Sequence, residues 1–263
     1  MARHYIFSRF ICRTPWFVLT SVLILTGCVT EVPKFSHIHI GHSMTGWVNT
    51  PGNRGLFVEA EKIADNIARL SVESINAVSK SDQSIVVQNS QQILLLLGDD
   101  PHPEIKEQGK YTFLAAFQGS VDHMGFAAES EDASENIKQG VRKFIANSGT
   151  IFARVEVLWT LAEAATSESD ANVLADIARE IRVLAVQNLE GEDIDNNNYI
   201  GDTPEEYGLR QLRRDVASML EKEDPAYRPV EQRYLFGLVR LPDGTWSFRD
   251  PGSGGGSYGK YSY

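Results

Sequence analysis

The chain is 263 residues long, enough for one large domain or two small ones with a substantial core, and it carries 25 Lys+Arg against 35 Asp+Glu for a formal charge of −10. That balance excludes a nucleic-acid binder and a protein held on bare anionic lipid by basic patches. It suits cations or a basic partner.

Arg3, Arg9 and Arg13 precede an apolar run from Trp16 to Leu25, which is too short to span a bilayer comfortably, and Leu25-Thr26-Gly27-Cys28 closes that run. These four residues resemble the lipobox of bacterial lipoproteins, in which a small-residue pair directly precedes a cysteine. The resemblance covers only the export signal, residues 1–27. It implies that Cys28 becomes the lipid-bearing, palmitate-carrying first residue of a mature chain anchored in the bacterial cell envelope. Val29 stands where inner-membrane retention in enteric bacteria typically uses Asp, which points to the outer membrane. Removing residues 1–27 takes away three arginines and no acids, so the formal charge moves from −10 to −13. With Cys12 in the removed segment and Cys28 committed to lipid, the mature fold has no disulfide and no thiolate ligand. CxxCH haem attachment and Cys-type zinc sites are excluded on that reading.

Residues 28–36 read as a tether, and 37–250 as a single helical domain. Ser36-His37-Ile38-His39-Ile40-Gly41-His42 follows the tether and gathers three of the chain's six histidines. Read as an extended segment, it points His37 and His39 to the same side, and Gly41 lets the chain bend to bring His42 back to them. Thr50-Pro51-Gly52-Asn53 is a turn whose Asn53 can cap the next helix. Apolar residues then recur at helical spacing, predicting helices over roughly 55–79, 82–97, 110–128, 133–165, 169–189 and 204–221. Asn147-Ser148-Gly149 is a candidate break in the fourth. Thr203-Pro204-Glu205-Glu206 has the form of a capping box that starts the sixth. After Pro225, Tyr234 to Leu241 and Thr245 to Phe248 flank Pro242-Asp243-Gly244 and predict a small β-hairpin over 234–248, and the Gly/Ser/Tyr-rich stretch 251–263 predicts a disordered tail. The expected fold is mostly α: a bundle of about six helices, an extended histidine-rich N-terminal segment and a C-terminal hairpin.

The candidate chemistry is metal binding, because neutral imidazole is the common ligand for zinc, copper and iron. His37, His39 and His42 form the predicted site. His123, beside the apolar stripe of the third helix, is a candidate fourth ligand, and Glu59, Glu61 or Asp65 on the first helix is a candidate carboxylate, Glu61 being the preferred one. His102, between two prolines, reads as a loop residue. Haem is disfavoured, because histidines two residues apart cannot easily take opposite faces of one porphyrin. The His-x-His pattern resembles the opening motif of metal-dependent amidohydrolases, but a chain of successive helices lacks their barrel. Glu156 and Glu163, seven apart, lack the Glu-x-x-His partners of a di-metal bundle. Gly254 to Lys260 copies a phosphate loop only superficially, with Tyr261 where Ser or Thr belongs.

Asp193 to Gly201 resembles the first nine positions of an EF-hand loop. The resemblance implies calcium ligands from Asp193, Asp195 and Asn197 and from the Tyr199 carbonyl. Asn198 replaces the usual glycine, and Pro204 stands where the bidentate Glu belongs, with Glu205 and Glu206 just beyond. The reading that unites these features is a lipid-anchored envelope protein that binds a transition metal and plays a non-catalytic, accessory role. A scaffold lipoprotein whose histidines contact an envelope protein partner is the contrasting reading, and a metal-dependent hydrolase is a third.

Overall fold

The computed structural model describes residues 34–47, 50–98, 111–224 and 227 and the pairs 232–233, 239–240 and 246–247. These fall in one compact unit, Pro33–Tyr263. Seven α-helices stand among the described residues: α1 Phe35–Met44, α2 Leu56–Val78, α3 Gln83–Leu97, α4 Phe113–Glu129, α5 Glu135–Ser167, α6 Ala171–Glu190 and α7 Leu209–Leu220. No helix among the described residues is long and apolar enough to cross a membrane.

The 3.6-residue period explains why the long helices form. In α2, Leu56, Ala60, Ile63, Ile67 and Leu70 lie on one buried face, and in α5 the buried face runs from Ile137 through Val141, Phe144, Ile151, Val155 and Leu158 to Ala162. Side-chain caps fix three starts. Thr112 accepts the Ala115 amide, Ser134 that of Ile137, and Asp170 those of Asn172 and Val173. The core is shared: α2 packs on α3, α4 and α6, while α5 packs on α3, α4, α6 and α7. Phe117 of α4 sits fully buried at its centre, with ring centroids 4.8 Å from Phe152 and 5.5 Å from Phe113.

Four expectations are corrected. The histidine stretch is not extended; it is α1, because Ser36, His37, Ile40 and Ser43 pack inward at helical spacing and α1 lies along α4. The isoleucines that suggested period two therefore part company, Ile40 into the core and Ile38 to the surface. Asn147-Ser148-Gly149 does not break α5: Ser148 hydrogen-bonds within the helix to the Phe144 carbonyl at 2.8 Å, and Gly149 has open space beside it. The sixth predicted helix does not begin at Pro204. Pro204–Glu206 is one 3-10 turn, and α7 starts after Gly208, whose amide donates to Gln211 Oε1 at 3.0 Å.

The fourth correction concerns the C-terminal hairpin of 234–248. No strand longer than two residues stands among the described residues, and what pairs there is three two-residue stretches, Gln232–Arg233, Val239–Arg240 and Trp246–Ser247. They run antiparallel in chain order, with Gln232 opposite Arg240 and Val239 opposite Ser247. Ladders this short hold too few hydrogen bonds to form a hairpin that stands alone. The signal residues 1–27, most of the tether, Cys28, His102 and the tail 251–263 lie outside the described residues.

Candidate metal centre

α1 and α4 bring His39, His42 and His123 together. His39 and His42 are three residues apart on one helical face, a spacing that stacks side chains along the axis. His123 reaches them from α4. The three offer nitrogens that all lie within 4.8 Å of one another. His39 Nδ1 and His123 Nδ1 are 3.1 Å apart, a hydrogen-bond distance in which one imidazole donates to the other, and one close to the edge of about 3.3 Å for two nitrogens bound tetrahedrally to one zinc ion at about 2.0–2.1 Å. The His42 ring lies 4.9 Å from that of His123 and 5.9 Å from that of His39. His42 Nδ1 is buried and has no hydrogen-bond partner. A buried imidazole nitrogen without a partner is costly in a folded chain, and a metal ion would satisfy it.

Aromatic side chains wall the cluster. Trp47, just past α1, sits 4.8 Å from both the His42 and His123 rings, and its indole N–H donates to the Tyr111 hydroxyl at 3.0 Å. Phe126, one turn beyond His123, lies 5.5 Å from His39 and 5.7 Å from His123. This apolar setting acts on the ligands. Burial, then His42 and His39, pushes the His123 imidazole down to about 4. Burial followed by the charge of His39 also lowers His42. Both therefore keep their lone pairs at neutral pH, the form that binds a metal. Three imidazoles without thiolate form a donor set suited to zinc, copper or iron.

The other predicted ligands lie elsewhere. A helix sets His37 nearly opposite His39, and its Nε2 faces Glu223 Oε2 at 3.5 Å, with the Tyr227 ring 5.3 Å away. Burial lowers His37 more than Glu223 raises it. Burial works to raise Glu223, but hydrogen bonds from Ser134, Asn136 and His37 outweigh it and hold the carboxyl low. Glu61 takes a fork from Arg213, whose Nε donates to its Oε1 at 2.7 Å, and Glu59 accepts from Arg54 Nε at 3.0 Å. Asp65, Glu156 and Glu163 are exposed. Sequence reasoning missed Trp47, Tyr111 and Phe126 as members of the site. The available signal was the three-residue spacing of His39 with His42 and of His123 with Phe126, legible once both segments are helices.

The acidic loop between α6 and α7 gathers Asp193, Asp195 and Glu206, with one oxygen from each within 4.8 Å of the others. Asn198 takes the left-handed conformation, φ 66°, that the glycine position of an EF-hand loop requires. These carboxylates serve the chain itself. Asp193 accepts the Asn197 and Asn198 amides at 3.1 and 2.9 Å, and Asp195 accepts the Asn197 amide at 3.1 Å. Asn197 Oδ1 accepts the Tyr199 amide at 2.7 Å. Glu206, fully buried, accepts the amides of Ile194, Gly201 and Asp202. Those bonds, that of Gly201 first, hold its carboxyl below the usual range against the effect of burial.

Comparison with known protein families, curated proteins and solved structures finds no match to this chain.

Proposed function

We propose that this protein binds one transition-metal ion through His39, His42 and His123 and serves in the cell envelope as a lipid-anchored, non-catalytic metal-binding or accessory protein. The convergence of three imidazoles from two helices, with His42 Nδ1 buried and otherwise unpartnered, carries the metal-binding part. The Leu25-Thr26-Gly27-Cys28 pattern supports the anchor on Cys28 and, with Val29, an outer-membrane address. Zinc, copper and iron all suit imidazole, and affinity for such a site generally rises from iron(II) to copper(II) and falls again at zinc.

The test is elemental analysis of the chain purified without tag or chelator, followed by titration with copper(II) and zinc under tryptophan fluorescence, to which Trp47 beside the histidines contributes. One equivalent binds, copper(II) more tightly than zinc. Loss of a second-shell partner costs about 10–100-fold in metal affinity, so His39→Ala, His42→Ala and His123→Ala, which remove ligands outright, each cost more. His37→Ala leaves the stoichiometry at one. Calcium as the sole metal would move attention to Asp193, Asp195, Asn197, Tyr199 and Glu206. No metal at all would favour the scaffold reading. For the anchor, labelling cells with a radioactive fatty acid marks the native chain and leaves Cys28→Ala unmarked.

A further inference from the structure

The histidine site joins α1 to α4, along which it packs, and α1 brings little apolar surface of its own into the core. α1 is ten residues long, shorter than the roughly 12–15 at which isolated helices become even marginal. It buries Ser36, His37, Ile40 and Ser43, so Ile40 is its one fully buried apolar side chain, with Met44 partly buried against the core. α7, only two residues longer, buries Leu209, Leu212, Val216, Met219 and Leu220. Burial of one isoleucine is small against the conformational entropy of ordering ten residues. Its polar ties to the rest of the chain are these: Asp132 accepts the Phe35 and Ser36 amides at 2.5 and 3.0 Å, Ser43 and Ser120 share a hydrogen bond of 2.6 Å, His37 faces Glu223, and His39 Nδ1 lies at hydrogen-bond distance, 3.1 Å, from His123 Nδ1, the contact an ion would replace. One further buried polar atom in its docked position, His42 Nδ1, has no hydrogen-bond partner.

We propose that the metal ion is a latch that holds α1 on the bundle. His39 and His42 belong to α1 and His123 to α4, so one ion bound to all three ties the helix to the body of the protein. With the ion bound, α1 lies docked; without it, α1 comes away from α4 as a local unit. The inference rests on the metal-binding reading of the same three histidines. It adds that metal availability decides whether α1 is held against α4.

Hydrogen exchange of the backbone amides of residues 38–44, measured on the full chain with zinc and again with a chelator, tests this, with calorimetry giving the zinc stoichiometry. A ligand that binds only the docked state suppresses opening by the factor 1+[L]/Kd, so zinc at about 100 times its Kd slows exchange in α1 by about 100-fold. In the zinc-free chain the amides of α1 exchange much faster than those of α2, whose buried face lies in the core and opens with the whole fold, and equal zinc-free rates in the two helices overturn the latch. His123→Ala retains both histidines of α1 and loses the slowing. The comparison of the wild-type chain with and without zinc needs no variant, so a misfolded substitution cannot obscure it. One equivalent of zinc bound with α1 exchange unaltered overturns the latch and leaves the site standing. Absence of zinc binding overturns the site and the latch together.

Discussion

Glu206 is a buried carboxylate whose partners are main-chain amides of its own loop, and that pairing makes a pH prediction at the scale of one residue. Its folded pKa lies below the ordinary value of 4.5. A depressed carboxylate stabilises the fold fully above the unfolded pKa, and the contribution is lost as pH falls through the lower, folded value. Glu206→Gln therefore lowers the urea midpoint most at pH 7, and its difference from the native chain narrows below pH 4.5. A difference that stays constant from pH 7 to pH 3 would mean that the charge of Glu206 contributes nothing. From sequence the same residue reads as the third-position glutamate of a capping box and as a late, misplaced calcium ligand. Its position in sequence cannot disclose that the carboxylate turns inward to close a loop, since hydrogen bonds to amides five and twelve residues back depend on the folded path.

At the scale of elements, α2 and α6 were legible because each carries a long apolar stripe whose period is its own evidence, whereas α3, with Asn89 and Ser90 on its buried face, was legible from its length, its unbranched leucine run and Gly98, whose φ of 107° marks its end. α1 was not legible. Ser-His-Ile-His-Ile alternates as a strand does, and its helical state comes from packing along α4, a tertiary choice that local pattern does not encode. The misreading of the element propagated to the site: parity paired His37 with His39, while helical spacing pairs His39 with His42 and sends His37 to Glu223. The start of α1 is likewise set from afar. Asp132, nearly one hundred residues on, takes the place of a local cap. Asp132→Ala removes it at a cost of about 1 kcal/mol, within the usual 0.5–2 for a lost cap. Because His39 and His42 ride on the same helix, the zinc Kd rises by about fivefold in that variant, and calorimetry on the two proteins reads the change directly.

At the scale of the whole molecule, metal binding and global stability are linked, since an ion that needs two helices in register binds the folded state and not the unfolded one. At a free zinc concentration of about 100 Kd, the linkage is worth about 2.7 kcal/mol. In a domain of about 150–250 residues each kcal/mol moves Tm by about 2–4 °C, so zinc raises Tm by about 5–10 °C. His123→Ala abolishes that rise while leaving the metal-free Tm close to that of the native chain, because the side chain is half-buried at the margin of the core and not within it. Phe117→Ala provides the contrast. It empties a fully buried ring position shared with Phe57, Phe113 and Phe152, costs about 3–5 kcal/mol and lowers Tm with or without zinc. If the two substitutions lowered the metal-free Tm equally, the histidine would be a core residue. If zinc raised Tm as much in His123→Ala as in the native chain, the stabilising ion would sit elsewhere, and the carboxylates between α6 and α7 would be the next place to look.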